Sequence, residues 1–303
     1  MSETKFEDTL VISSTRRNAT VLIPPNTIIK ARIGSKIDTV TIGDQVKLKY
    51  DQLKYFITSV SEPKNSLSRT IASKTKKIVN NLDRLLLVSA VEPLFNTAFN
   101  DRVLLVCSLQ KIPVTLIVNK TDLGLEQTQH LIDIYSSFNL PIILTSTKTK
   151  NGITALKEFL DSTDENIVAL AGVSGVGKSS LLNCLIPMAN RQTGDVSRKT
   201  GKGTQTTSLA HGYLYHRQQA SELILVDLPG IQNFGVSNYS IRDVAAAFPE
   251  FVKFSTGCEY YDCQHTAEPT CGVKTALEEG LIAPSRYLSY LGILEEIESN
   301  RPY

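Results

Sequence analysis

Gly172-Val173-Ser174-Gly175-Val176-Gly177-Lys178-Ser179 comes after the apolar run Ile167–Ala171 and leads into a helix-forming segment that includes Ser180 and runs to Leu185. Strand, glycine-rich turn and helix in that order are the context of a phosphate-binding loop. The glycines allow successive backbone N–H groups to turn inward around an anion. Lys178 supplies a positive charge to the outer phosphates, and the Ser179 hydroxyl is suited to ligate Mg²⁺. This P-loop sets the fold class of its neighbourhood, an α/β domain with a parallel sheet and crossover helices. It also implies a nucleoside triphosphate, with the base left open.

The base is named by Asn119-Lys120-Thr121-Asp122, which ends the apolar strand Val114–Val118. A carboxylate at Asp122 accepts hydrogen bonds from N1–H and the N2 amine of guanine, whereas adenine has neither donor. Asn119 is expected to brace the loop, and the Lys120 stem to lie over the base. Ser146-Thr147-Lys148, just beyond the next strand (142–145), occupies the place of a second base-contacting loop. Downstream of the P-loop, 188–207 is polar and basic without apolar periodicity, the composition of a switch segment. Gln205, Thr206 and Thr207 are its candidate functional groups, with the threonine hydroxyls directed to the nucleotide and Thr207 to Mg²⁺. A later strand ends in Asp227-Leu228-Pro229-Gly230. There Asp227 can hold a Mg²⁺-bound water, and the Gly230 N–H can meet the γ-phosphate.

These elements come in a rotated order, with guanine loop and second base loop before the P-loop and the two switches after it. Cutting an ordinary GTPase after its second switch and joining the original ends produces this order without altering the sheet in space. The second switch then leads directly into the C-terminal part of the chain.

That part contains Cys258-x4-Cys263-x-His265-x5-Cys271, with helical segments on either side. Three thiolates and one imidazole so close together suit tetrahedral Zn²⁺ and leave no open coordination position, so a structural role is expected. Before the GTPase motifs, residues 9–60 show five short β-branched runs separated by turn signals: 9–13, 19–23, 27–33, 39–50 and 53–60. That density of strands predicts a small closed barrel of the OB type. Residues 61–77 read as a basic linker. The expected organisation is an OB-fold RNA-binding domain at 1–66, a circularly permuted GTPase domain at 67–236, and an α-helical zinc-binding domain at 237–303.

Charge is divided along the chain. Net charge is only +2, but Met1 to Lys77 holds 14 Lys and Arg against 7 Asp and Glu, while Val236 to Tyr303 holds 5 against 10. A basic first module suits a polyanion such as RNA. No stretch is long and apolar enough to span a bilayer, and the first ten residues lack the features of a targeting segment. A soluble, unsecreted, monomeric protein in a bacterial cytoplasm is expected. Cys107 and Cys184 fall in apolar helical segments and read as reduced, buried thiols.

The rotated motifs, the OB-like barrel and the Cys/His segment together resemble the circularly permuted, small-ribosomal-subunit-dependent GTPases of the RsgA family. The resemblance covers essentially the whole chain and implies a GTPase that binds the small subunit and its rRNA during late maturation, with hydrolysis stimulated by the subunit. One position departs from the pattern. The family's first switch carries a His before its Thr pair, where this chain has Gln205; Ile231, after Gly230, cannot orient water. Gln205, whose amide both donates and accepts, is therefore the candidate for orienting the attacking water, with Lys178 and Thr206 acting on the phosphate. A P-loop kinase or ATPase is disfavoured by Asp122. A nonenzymatic RNA-binding protein is disfavoured by Lys178, Ser179 and Asp227. An RNA-binding switch with a non-ribosomal partner remains the alternative.

Overall fold

The computed structural model describes residues 5–24, 26–51, 53–71, 74–92, 96–187, 210–217, 222–228, 234–236 and 238–299. Strands β1 (Lys5–Ser14), β2 (Asn18–Ile23), β3 (Thr27–Ile33), β4 (Gln45–Asp51) and β5 (Lys54–Val60) close into a barrel in the order β1-β2-β3-β5-β4. Alternation places Val11, Val21, Ala31, Leu48 and Ile57 inside it. Strand β1 pairs with both β2 and β4, and register shifts at Phe6/Thr9 and Val11/Ser13 bend it enough to do so. The fourth strand is shorter than its sequence suggests. Gly43 adopts φ +86°, and the Thr41 N–H donates to the Asp44 carboxylate at 2.7 Å, so 41–44 is a turn.

The expected linker is instead a hairpin, β6 (Ser66–Ile71) and β7 (Lys74–Asn80). Its polar composition masks the alternation that buries Leu67 and Val79. Beyond it lies a six-stranded sheet of β8 (Arg84–Ala90), β9 (Val114–Asn119), β10 (Ile142–Leu144), β11 (Ile167–Ala171), β12 (His211–Tyr215) and β13 (Leu223–Asp227). The strand order is β10-β9-β8-β11-β13-β12, parallel except for β12, which runs antiparallel at the edge. Strands β9 and β11 are buried along their full length, as a sheet covered on both faces requires. The crossover helices are α1 (Thr97–Leu109), α2 (Leu125–Ile134) and α3 (Ile153–Ser162), and α4 (Lys178–Leu185) comes directly after the P-loop.

The C-terminal helices are α5 (Ile241–Ala246), α6 (Pro249–Phe254), α7 (Gly272–Glu278) and α8 (Pro284–Ser299). The apolar pattern predicts one helix over 241–251; Pro249, with no N–H to donate, starts a second helix instead. Helix α8 packs on α1. One core runs continuously from Val103 and Leu104 of α1 to Phe248, Tyr290, Ile293 and Leu294 among the C-terminal helices. At its centre Arg286, only 1% exposed, pairs with Asp101 of α1 at 2.6 Å and Glu250 of α6 at 2.7 Å. The rings of Phe248 and Phe138 lie 4.3 and 4.6 Å from its guanidinium.

Candidate nucleotide and metal sites

The P-loop sits between the C-terminal end of β11 and the start of α4, where parallel sheets present ligands to helix N-termini. Gly177 has φ +96° and caps α4, and a side chain there would meet the Asn119 amide nitrogen at 2.3 Å. That crowding reflects a direct contact. The fully buried Asn119 donates from Nδ2 to the Val176 carbonyl at 2.8 Å and accepts on Oδ1 from the Thr145 hydroxyl at 3.2 Å. A single side chain thus ties the end of β9 to the P-loop and to Thr145, the residue before Ser146-Thr147-Lys148. Asp122 is positioned from the second base loop, since Ser146 Oγ donates to its Oδ1 at 2.6 Å while the Thr149 N–H donates to the same hydroxyl. Lys120 adopts φ 63°, the left-handed turn that carries the chain from β9 into the loop. Sequence position suggests a contact between Ser146 and the base; in the structure the Ser146 hydroxyl is bonded to the Asp122 carboxylate.

Lys178 Nζ donates to the carbonyls of Gly172 and Val173, at 2.6 and 3.0 Å. It therefore reaches back across the loop. Burial pushes its pKa down, partly offset by Asp227, and burial pushes the Asp227 carboxyl up, partly offset by Lys178. Among the described residues, Asp227 Oδ1 is buried without a hydrogen-bond partner. A half-buried lysine, an unsatisfied carboxylate oxygen and an exposed Ser179 in the first turn of α4 fit a Mg²⁺–phosphate group, which offers the lysine an anion and the two oxygens a cation. Gln205, Thr206, Thr207, Gly230 and Ile231 lie outside the described residues.

The Cys/His segment also converges. The ligand atoms of Cys258, Cys263, His265 and Cys271 lie within 4.8 Å of one another. Cys258 Sγ is 3.9 Å from Cys271 Sγ, and the two sulfurs are 3.6 and 3.4 Å from His265 Nδ1. Tetrahedral bonds of about 2.3 Å to sulfur and about 2.0 Å to nitrogen require separations of about 3.8 and 3.5 Å, so Cys258, His265 and Cys271 are spaced as metal ligands, with Cys263 in the same 4.8 Å cluster. The surrounding groups fix the loops that carry these ligands. The Glu268 carboxylate accepts from the Gln264 and Thr266 N–H groups, and the hydroxyls of Tyr290 and Tyr287 donate to the carbonyls of Gln264 and His265. Burial pushes the Cys263 thiol up to about 12, so without a cation that thiol stays neutral.

Cys107 is buried in α1 as expected. Cys184 is only partly buried, with Sγ 3.2 Å from Lys150 Nζ.

Residues 60–237 match the profile of the RsgA GTPase family, which is more than half of the chain. The chain belongs to the RsgA GTPase family. Among the family's members it is similar to the small ribosomal subunit biogenesis GTPase RsgA of Porphyromonas gingivalis, at 35% identity over 273 residues, covering 86% of this chain and 85% of that one. The corresponding protein of Histophilus somni is 31% identical over 311 residues, covering 98% and 87%. The crystal structure of YjeQ from Thermotoga maritima superposes with a TM-score of 0.75 at 30% identity, covering 98% of this chain and 100% of that one. A second solved structure, YloQ, a circularly permuted GTPase, shares the fold with a TM-score of 0.70 at 24% identity, covering 99% and 97%. The chain is therefore a GTP hydrolase, and the rotated motif order read from its sequence is that of a circularly permuted RsgA-family GTPase.

Proposed function

We propose that the chain binds the small ribosomal subunit through rRNA and hydrolyses GTP there during the subunit's late maturation, with turnover stimulated by the subunit. The observation that carries the nucleotide half of this reading is the Asn119–Val176 hydrogen bond, which couples guanine recognition to the phosphate loop. The RNA half is supported by a cleft of about 740 Å³ between the barrel and the β6–β7 hairpin, lined by Arg16, Arg69, Lys76 and Lys77. Ala210, where the chain re-enters the described structure ahead of β12, lines the same cleft, so a polyanion held there would lie close in sequence to the end of the first switch segment.

In this reading Gly172, Val173, Ser174, Gly175, Val176, Gly177, Ser179 and Ser180 surround the phosphates with backbone N–H and hydroxyl donors. Lys178 exchanges its carbonyl partners for phosphate oxygens. Ser179, Thr207 and Asp227 would hold Mg²⁺, which when bound neutralises charge on the β- and γ-phosphates. Gln205 orients the attacking water, Thr206 and the Gly230 N–H contact the γ-phosphate, and Asn119, Lys120, Asp122, Ser146, Thr147 and Lys148 hold the guanine. Cys258, Cys263, His265 and Cys271 would hold one structural Zn²⁺. The working division remains 1–66, 67–236 and 237–303, and the protein acts as a cytoplasmic monomer.

GTP turnover with and without purified small subunits, using Lys178→Ala as the blank, tests the proposal. Stimulation by small but not large subunits is expected. Turnover indifferent to ribosomes would transfer the reading to an RNA-binding switch with a non-ribosomal partner. Gln205→Ala should remove about 10²–10³-fold of stimulated turnover; unchanged turnover would reject its assignment.

A further inference from the structure

A groove of about 580 Å³ lies between helices α5–α6 and the Cys/His segment. Ile241, Ala245 and Val252 line its helical side, and Tyr260, Tyr261 and Asp262 line the other. Three of its lining residues are open to water: Val252 is 53% exposed, Tyr260 47% and Tyr261 90%. A tyrosine ring projected that far into water contributes nothing to the core beneath it. One face of Tyr261 already carries a guanidinium, because Arg242 Cζ lies 4.7 Å from its ring centre.

The charge around this groove disfavours one class of partner and favours another. Val236 to Tyr303 as a whole carries 5 basic residues against 10 acidic ones, of which Glu250 and Glu296 are paired with Arg286 and Arg102. Exposed Glu259 and Asp262 flank the tyrosine pair, and exposed Asp243 is next to Arg242. The neighbouring cations are engaged with aromatic rings, Arg242 on Tyr261 and Lys253 on Phe254 at 5.0 Å. Nucleic-acid binding depends on cations neutralising phosphates, and this region offers an excess of carboxylates. A basic peptide meets the opposite situation: carboxylates for its Lys and Arg side chains, a tyrosine face for a guanidinium, and an apolar floor for an anchoring side chain.

We propose that this groove docks a Lys/Arg-rich, apolar-anchored peptide segment of a protein component of the small ribosomal subunit. This contact rests on the subunit reading above and adds a protein partner, opposite in charge to the RNA held at the barrel.

The test places a photo-crosslinking side chain in the full-length protein by Tyr261→p-benzoylphenylalanine, which keeps an aromatic ring in the groove. A parallel protein carries Ile28→p-benzoylphenylalanine on the exposed barrel face that also bears Lys30 and Arg32. Both are irradiated with purified small subunits and a non-hydrolysable GTP analogue. The expected result is crosslinking of the Tyr261 position to a subunit protein within a Lys/Arg-rich segment, with the Ile28 position crosslinking to rRNA. Adding Glu259→Lys and Asp262→Lys should reduce the protein crosslink by about tenfold or more while subunit-free GTP turnover is unchanged. With the Ile28 crosslink intact, a Tyr261 crosslink to rRNA, to a second copy of this chain or to nothing overturns the inference, as does a protein crosslink insensitive to the charge reversals. Absence of crosslinks from both positions rejects the subunit reading and the inference with it.

Discussion

The GTPase sheet is joined to its two neighbours by different physics. On the barrel side the join is made of backbone and neutral groups around one carboxylate. The Asn80 N–H donates to the Ile42 carbonyl, Asn80 Nδ2 donates to Asp44 at 2.6 Å, and Asn81 Nδ2 donates to the Gly43 carbonyl. Gly43 is so close to the hairpin that a β-carbon would fall 1.9 Å from the Asn80 carbonyl oxygen. On the C-terminal side the join is a buried cation between two carboxylates, Asp101 and Glu250, enclosed by aromatic rings. Its burial works against the Arg286 charge, yet the two ion pairs raise its pKa further above the ordinary value. Close backbone fit fixes a position through many small contributions, whereas a buried ion cluster depends on all its members, because the loss of one leaves the others uncompensated.

The strongest way to separate the two sides is removal of the Zn²⁺ proposed for the Cys/His cluster. Binding of a structural Zn²⁺ contributes on the order of 10 kcal/mol to a small domain. Chelation should therefore unfold the loops around Cys258–Cys271, read as loss of amide protection there, while barrel amides keep theirs. Equal loss on both sides would show that the two joins are not independent. Next is Arg286→Ala, expected to cost about 3–5 kcal/mol in urea denaturation because Asp101 and Glu250 stay buried without their partner. Arg286→Met combined with Asp101→Leu and Glu250→Leu should recover most of that loss; failure to recover would assign the cost to shape and not charge. Asp44→Ala on the barrel side should cost about 1–3 kcal/mol, the smaller figure expected where hydrogen bonds to one carboxylate are lost.

The smallest effect is in pH dependence. Burial raises the Asp44 pKa, with Asn80, the Thr41 N–H and Lys77 offsetting only part of the shift. A carboxyl with a raised native pKa contributes stability that is fully present below its unfolded value and is lost as pH rises through the native one. Wild type should thus lose stability relative to Asp44→Asn as pH rises from about 4 toward neutrality. Parallel stability profiles for the two proteins would show that Asp44 does not titrate in that range.

Much of this architecture is legible in the sequence because it depends on local chemistry. The P-loop, Asn119–Asp122 and the four clustered ligands need particular residue types at short spacing, and the structure brings each group together. The barrel is legible in strand number, but 41–44 reads as strand until the positive φ of Gly43 and the Asp44 side chain turn it. The β6–β7 hairpin reads as a linker because its buried residues, such as Leu67 and Val79, are few and its lysines dominate the composition. Two features have no sequence signal. Arg286 lies in one of the helical segments beyond the Cys/His cluster, and its partners are 185 and 36 residues away in the chain, at Asp101 and Glu250. Likewise, nothing in Asn119 itself indicates that it would reach Val176; that contact depends on which strands become neighbours.

The strand order also determines how this domain is completed as it is synthesised. Chain order lays down β8, β9 and β10 first, as a three-stranded parallel half-sheet that already carries residues 119–122. Strand β8 ends up in the middle of the sheet, yet it remains an open edge until Ile167–Ala171 emerges and pairs on its free side. The phosphate loop arrives with that same strand. The event that seals the vulnerable edge of the growing polypeptide is therefore the event that first brings the glycine-rich loop Gly172–Ser179 against Asn119, so an unfinished chain can carry residues 119–122 without the loop they contact.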